Sequence, residues 1–152
     1  MHILFVCTGN ICRSPMAEAY TRDLCRRKTV PHIRVSSAGT AAPENHEASA
    51  QAKFVLWEEG IPLENHRSRQ LTRDMIEQAD TVVTMTQGHR RQVVRLCPEA
   101  ADRVGTLADL TGEGGEIPDP YGGTVEEYAA CFQRMKPALE ALVRNIAAAH
   151  GE

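Results

Sequence analysis

The apolar positions of this chain change period several times, and each change marks the border of a new element. Ile3, Leu4, Phe5 and Val6 form a short unbroken run, which predicts a strand over His2–Cys7 buried on both faces. Met16, Ala19, Tyr20, Leu24 and Cys25 then recur near helical spacing and predict a helix over Pro15–Lys28. A second strand is expected at Ile33–Ser37, followed by a polar loop over Thr40–Glu47. The pattern predicts a helix over Glu47–Glu59, with Ala48, Ala52, Val55 and Leu56 inward and Gly60 as its stop. Thr72–Gln78 reads as a short helix, Thr81–Met85 as a third buried strand, and Gln87–Leu96 as a basic helix ending before Cys97-Pro98. A fourth strand is expected at Arg103–Leu107 and a Gly-rich loop at Thr111–Glu116. Val125, Tyr128, Ala129, Phe132, Met135, Leu139, Leu142 and Ile146 mark a long last helix, which Pro137 should kink or divide.

Strands alternating with helices imply an α/β fold with a parallel sheet covered on both faces. The expectation is one domain over residues 1–152, a three-layer sandwich around a four-stranded parallel sheet. In such sheets the site lies at the carboxyl ends of the strands, where both Cys7 and Ser37 fall.

Composition removes several function classes. With 42% hydrophobic and 24% charged residues and a formal net charge of −3, the chain is composed like a soluble globule and is not suited to nucleic acid as a main partner. No apolar run approaches a membrane span, and Ile3–Val6 is too short for a signal sequence, so no membrane association is expected. The five cysteines (7, 12, 25, 97 and 131) show no paired framework and point to a reducing cytoplasm. No Cys/His spacing fits a metal site, and no metal or organic cofactor is expected. A monomer is expected.

The chemistry concentrates just after the first strand, in Cys7-Thr8-Gly9-Asn10-Ile11-Cys12-Arg13-Ser14-Pro15. A buried strand ends in a tight loop, and the loop feeds a helix N-terminus. The backbone N–H groups of Thr8, Gly9, Asn10, Ile11, Cys12 and Arg13 can turn inward as an anion-binding nest, reinforced by the positive end of the helix dipole. The thiolate is the nucleophilic form of cysteine, and both the helix end and Arg13 favour its negative charge. Arg13 offers a planar fork to two oxygens of a tetrahedral oxyanion. Gly9 and Asn10 tolerate the positive φ that such a loop needs. Ser14 suits the N-cap, with Pro15 at the first helical position, and its hydroxyl can reach the Cys7 sulfur. This reads as a phosphate loop with a nucleophile built into it; the competing reading is a core cysteine beside an ordinary Gly-Asn turn.

The run Val6 to Glu18 closely resembles the signature of the low-molecular-weight protein tyrosine phosphatases. Asp119-Pro120-Tyr121 resembles their Asp-Pro-Tyr signature, and Ser36–Thr40 and His66–Thr72 follow in the family's order. The resemblance spans essentially the whole chain. It implies hydrolysis of phosphotyrosine in a protein or peptide through a cysteinyl-phosphate intermediate, with inorganic phosphate or a similar oxyanion also held in the site. Cys7 would be the nucleophile, Arg13 the oxyanion clamp and Asp119 the acid and then the base. Asp119 sits between two prolines on a stiff loop, although Pro-Asp-Pro also suits a plain turn. Tyr121 would flank the substrate ring, and Asn10, Ser37 and His66 would fix the phosphate loop. Cys12, separated from Cys7 by four residues, would capture an oxidised Cys7 as a reversible disulfide.

Two departures bear on the substrate. Where many family members carry a second aromatic after the tyrosine, this chain has Gly122-Gly123, and the Thr40–Glu47 loop contains no aromatic. His46 either stands in for the latter or is a surface histidine. These features resemble a bacterial branch that removes phosphate from arginine. Ile11 points the other way, since the arginine phosphatases have Thr at that place. A thiol-dependent arsenate reductase would need two relay cysteines near mid-chain, and only Cys97 is present, with Val104 seven residues on. A non-catalytic phosphate-binding module is disfavoured because Cys7, Arg13 and Asp119 are all in place.

Overall fold

A computed structural model of the protein describes residues 1–149. Strands β1 (His2–Cys7), β2 (Arg34–Gly39), β3 (Thr81–Thr84) and β4 (Val104–Thr106) form one sheet in the order β2-β1-β3-β4. Every pairing in it is parallel. The central strand β1 alternates strictly. Ile3, Phe5 and Cys7 pack with helices α1 (Arg13–Arg27), α2 (Ala50–Glu58) and α6 (Val125–Ala149). Leu4 and Val6 pack with α3 (Arg73–Gln78) and α4 (Gln87–Leu96) on the other face. The two cores give the expected three layers, because a strand buried on both faces must be covered on both. Phe5 is fully buried; covering such a side chain contributes about 1.5–3 kcal/mol.

Where expectation and structure differ, local hydrogen bonding decides. Helix α1 begins at Arg13, with Cys12 as its cap residue and no side chain capping it. Ser14 is therefore already helical, and its hydroxyl is spent on Cys7 and Asn10 instead of on the cap. Helix α2 begins later than the periodicity suggested, because the Ser49 hydroxyl accepts from the Ala52 amide and starts the helix at Ala50. A 3-10 turn covers Pro98–Arg103, and β4 is shorter than expected. It stops because Thr106 and Asp109 form a reciprocal capping box that opens the short helix α5 (Leu107–Thr111). Pro137 does not divide α6. Both Pro137 and Gln133, whose carbonyl loses its partner, face solvent, while Phe132, Met135, Ala138 and Leu139 hold the helix to the core on either side.

The sheet sets the floor of the site. Cys7 lies in register with Gly39 at the carboxyl end of β1, and the Thr40 and Ala41 amides donate to the Cys7 and Thr8 carbonyls. A Cβ on Gly39 would sit 2.4 Å from the Thr8 carbonyl oxygen, so this close approach admits only glycine. No described helix is long and apolar enough to cross a membrane.

Candidate active site

A cleft of about 340 Å³ opens above Cys7. Thr8, Gly9, Ile11, Cys12 and Arg13 form its floor and near rim; Ala41, Pro43 and His46 form one wall, and Asp119 and Tyr121 the other. The absent aromatic of the Thr40–Glu47 loop thus leaves a wall of Ala41 and Pro43 beside an exposed His46.

Cys7 Sγ lies 2.9 Å from Ser14 Oγ. Asn10 Nδ2 donates to the same Ser14 oxygen at 2.8 Å, which leaves the Ser14 proton directed at the sulfur. Asn10 itself is fully buried with φ of +58°, a conformation its side-chain bonds lock in place. Its Nδ2 also donates to Ser37 Oγ (2.9 Å), and its Oδ1 accepts from the Arg69 amide (3.0 Å), which fixes the amide's orientation. The Ser37 hydroxyl donates to Glu18, and the Arg69 Nε donates to the Ser37 carbonyl. His66 Nε2 lies 2.7 Å from the Asn10 carbonyl, an acceptor only, so that nitrogen carries the proton. Burial pushes the His66 imidazole below its ordinary range, against the opposing pull of the Asn10 carbonyl and Glu18. The structure therefore brings Asn10, Ser37 and His66 into one network beneath the loop.

Arg13 is almost wholly buried. One terminal nitrogen donates to the Ile117 carbonyl (2.9 Å), and the other to Thr8 Oγ1 (3.3 Å). Its Nε is buried and makes no hydrogen bond among the described residues, which is costly unless a ligand atom satisfies it. Asp119 Oδ2 stands 3.6 Å from the Arg13 Nη2, and its Oδ1 accepts from the Tyr121 amide at 3.0 Å. Helix α1 has no acidic residue in its first turn, so its dipole is uncompensated on the cleft side. The arrangement thus combines a sulfur, an unpartnered guanidinium N–H, a positive helix end and a carboxylate around one cavity.

Cys12 is buried with its Sγ 3.0 Å from the Tyr128 hydroxyl, and burial pushes its thiol up. Ile11 is half-buried at the rim. Tyr121 is 70% exposed on a turn closed by Gly123 N–H to the Pro120 carbonyl (2.8 Å). Gly122 has φ of +80° in that turn, so an aromatic there would carry backbone strain of about 1–2 kcal/mol. The Gly-Gly pair is thus a requirement of the turn as well as an opening of the rim.

Three neighbours escaped the sequence reading. His89, in the first turn of α4, lies 2.8 Å from Thr8 Oγ1 and 3.0 Å from Thr86 Oγ1. Glu18 and Arg69 complete the network under Asn10 and Ser37. Only the strand order carried a signal for His89: β3 lies beside β1, so the turn after β3 must flank the loop after β1.

The family described as low molecular weight phosphotyrosine protein phosphatase matches residues 2–151. A protein-arginine-phosphatase of Geobacillus stearothermophilus is 44% identical over 145 residues, spanning 95% of each chain. The low molecular weight protein-tyrosine-phosphatase Etp of Escherichia coli (strain K12) is 33% identical over 95% of this chain and 93% of its own. Among solved structures, a YwlE arginine phosphatase mutant with a phosphorylated active site serine superposes with a TM-score of 0.91 at 36% identity, covering 96% of this chain and 95% of that one. A family match over residues 2–151, together with a superposition at a TM-score of 0.91 over 96% of the chain, places this chain in the low molecular weight phosphotyrosine protein phosphatase family.

Proposed function

We propose that the protein removes phosphate from phosphotyrosine in protein or peptide substrates in two displacements at Cys7. In the first, the Cys7 thiolate attacks phosphorus, the bond from phosphorus to the aryl oxygen breaks, and Asp119 protonates the departing oxygen. In the second, Asp119 takes a proton from water, the water oxygen attacks phosphorus, and the phosphorus–sulfur bond breaks with phosphate as product. The Ser14 proton stabilises the sulfur as it regains its charge. The loop amides and the Arg13 Nε and Nη2 hold the equatorial oxygens in both steps. One observation carries the reading: Arg13, whose buried Nε has no partner among the described residues, lines the same cleft as Cys7 and Asp119. A relative whose active site serine is phosphorylated, on a fold this close, supports a phosphoryl group passing through the nucleophile's position. The free thiols support a reducing, cytoplasmic setting for this chemistry.

Dephosphorylation of arginine is the second reading, favoured by the wall of Ala41 and Pro43, the Gly122-Gly123 rim and the 44% identical relative. Ile11 supports phosphotyrosine. A branched apolar side chain at the rim gives an aromatic ring about 1–2 kcal/mol of favourable contact and gives a guanidinium no hydrogen-bond partner. Turnover of matched phosphotyrosine and phosphoarginine peptides tests this. Wild type should prefer phosphotyrosine, and Ile11→Thr should move the ratio of kcat/KM toward phosphoarginine by about tenfold. A wild-type preference for phosphoarginine overturns the phosphotyrosine reading and leaves the cysteine chemistry standing.

A further inference from the structure

His89 is buried beneath the phosphate loop on an element 81 residues away in sequence, and nothing in the two displacements uses it. Its ring is bonded at both nitrogens. Thr86 Oγ1 accepts from the His89 backbone amide (3.2 Å), which leaves the Thr86 proton free for Nδ1 at 3.0 Å. The ring proton then sits on Nε2 and donates to Thr8 Oγ1 at 2.8 Å. Thr8 is an exposed loop residue whose side chain could take other rotamers; this bond selects the one that turns Oγ1 toward Arg13 Nη2, 3.3 Å away. The next acceptor for that same Nη2 is the Asp119 carboxylate, 3.6 Å off and outside hydrogen-bond range.

We propose that His89 is a positioning residue for phosphoryl transfer, which through the Thr8 hydroxyl holds the Arg13 guanidinium away from Asp119. The proposal rests on reading Cys7, Arg13 and Asp119 as a phosphatase site. With Thr8 Oγ1 in place, Nη2 has a neutral partner, Nε stays directed at the oxyanion, and the acid stays free to meet the leaving group. Without it, the 3.6 Å ion pair between Nη2 and Asp119 closes to hydrogen-bond distance and occupies both groups that the reaction needs. Burial, and next the charge of Arg13, push the ring down to about 4, so it remains a neutral donor and acceptor at neutral pH.

The test compares wild type, His89→Leu, His89→Gln, Thr8→Val and the His89→Leu/Thr8→Val double variant. The readouts are kcat and KM on phenyl phosphate, the affinity for inorganic phosphate by calorimetry, and Tm. His89→Leu should lower kcat and weaken phosphate binding by on the order of tenfold each. His89→Gln, whose amide nitrogen can take the place of Nε2–H, should recover most of both, and Thr8→Val should reproduce the loss. The double variant should be no worse than either single one, because both cut the same chain of bonds. Equal losses for Leu and Gln, additive losses in the double variant, or a lowered Tm with kcat and phosphate affinity unchanged would each overturn the proposal. If wild type turned over no phosphate ester, the phosphatase reading would fall, and the phosphate-affinity series would still decide the role of His89.

Discussion

The Ser14 hydroxyl lies 2.9 Å from the Cys7 sulfur, and its oxygen is already held by the Asn10 amide. The sulfur proposed to accept phosphate therefore has a proton donor fixed beside it before any substrate arrives. A sulfur leaving group needs that help in the second displacement more than a sulfur nucleophile needs it in the first.

Ser14→Ala should slow hydrolysis of the phosphoenzyme more than its formation. Losing a hydrogen bond to a charged group costs about 1.5–3 kcal/mol, or roughly ten- to a hundredfold in rate. With an aryl phosphate bearing a good leaving group, the variant should release a burst of phenol and then turn over slowly. A uniform loss with no burst would assign Ser14 to folding of the loop alone.

Asp119 stands half-exposed across the cleft, near the arginine it shares the site with. Asp119→Asn should lose on the order of a hundredfold or more on phenyl phosphate and much less on an ester whose leaving group departs unprotonated. Equal losses on the two substrates would remove Asp119 as the acid.

Cys12 is poorly disposed to act as a thiolate, since burial pushes its thiol up. Peroxide should oxidise Cys7 first, and capture by Cys12 should be slow at neutral pH and faster as pH rises. Intact-mass and peptide analysis of peroxide-treated protein checks this. Absence of a reductant-reversible Cys7–Cys12 peptide at every pH would make Cys12 a packing residue only.

His89 also gives the fold an acid-side sensitivity. Its folded pKa is pushed from 6.5 down to about 4, so below about 6.5 the unfolded chain binds a proton that the folded protein excludes. The stability from the neutral ring is complete above 6.5 and is lost progressively as pH falls to about 4, amounting to at most about 3 kcal/mol. His66 is shifted in the same direction. Urea midpoints should fall between pH 7 and 4.5, and His89→Gln should flatten that dependence. An unchanged slope in the variant would assign the effect to other groups.

Much of this architecture was legible because it is written locally. The apolar run at Ile3–Val6 and the Cys7–Arg13 loop each lie within a few residues, and the strands alternate with helices recognisable by their period. The parallel sheet and the place of the loop at the end of β1 followed from those signals. What escaped depends on partners distant in the chain. Ser14 looked like a cap because Ser-Pro usually is one; its reach to the Cys7 sulfur was legible from their nearness in the chain, but the Asn10 amide that holds the same oxygen was not. His89 carries no motif; its contact with Thr8 exists because β3 pairs with β1. Gly122-Gly123 looked like a wide rim, whereas the turn geometry at φ of +80° gives that pair a second reason. Pro137 looked like a break because its effect on the backbone is local, while the packing that holds α6 together on both sides of it is not.

Rapid-quench mass spectrometry with a phosphotyrosine peptide decides whether phosphate passes through Cys7. The wild-type enzyme should carry one phosphoryl group on the peptide containing Cys7 during turnover. Cys7→Ser should bind phosphate yet release no tyrosine peptide at a catalytic rate. Robust turnover by Cys7→Ser, or no phosphoryl group on the Cys7 peptide while product accumulates, would mean that phosphate does not pass through Cys7.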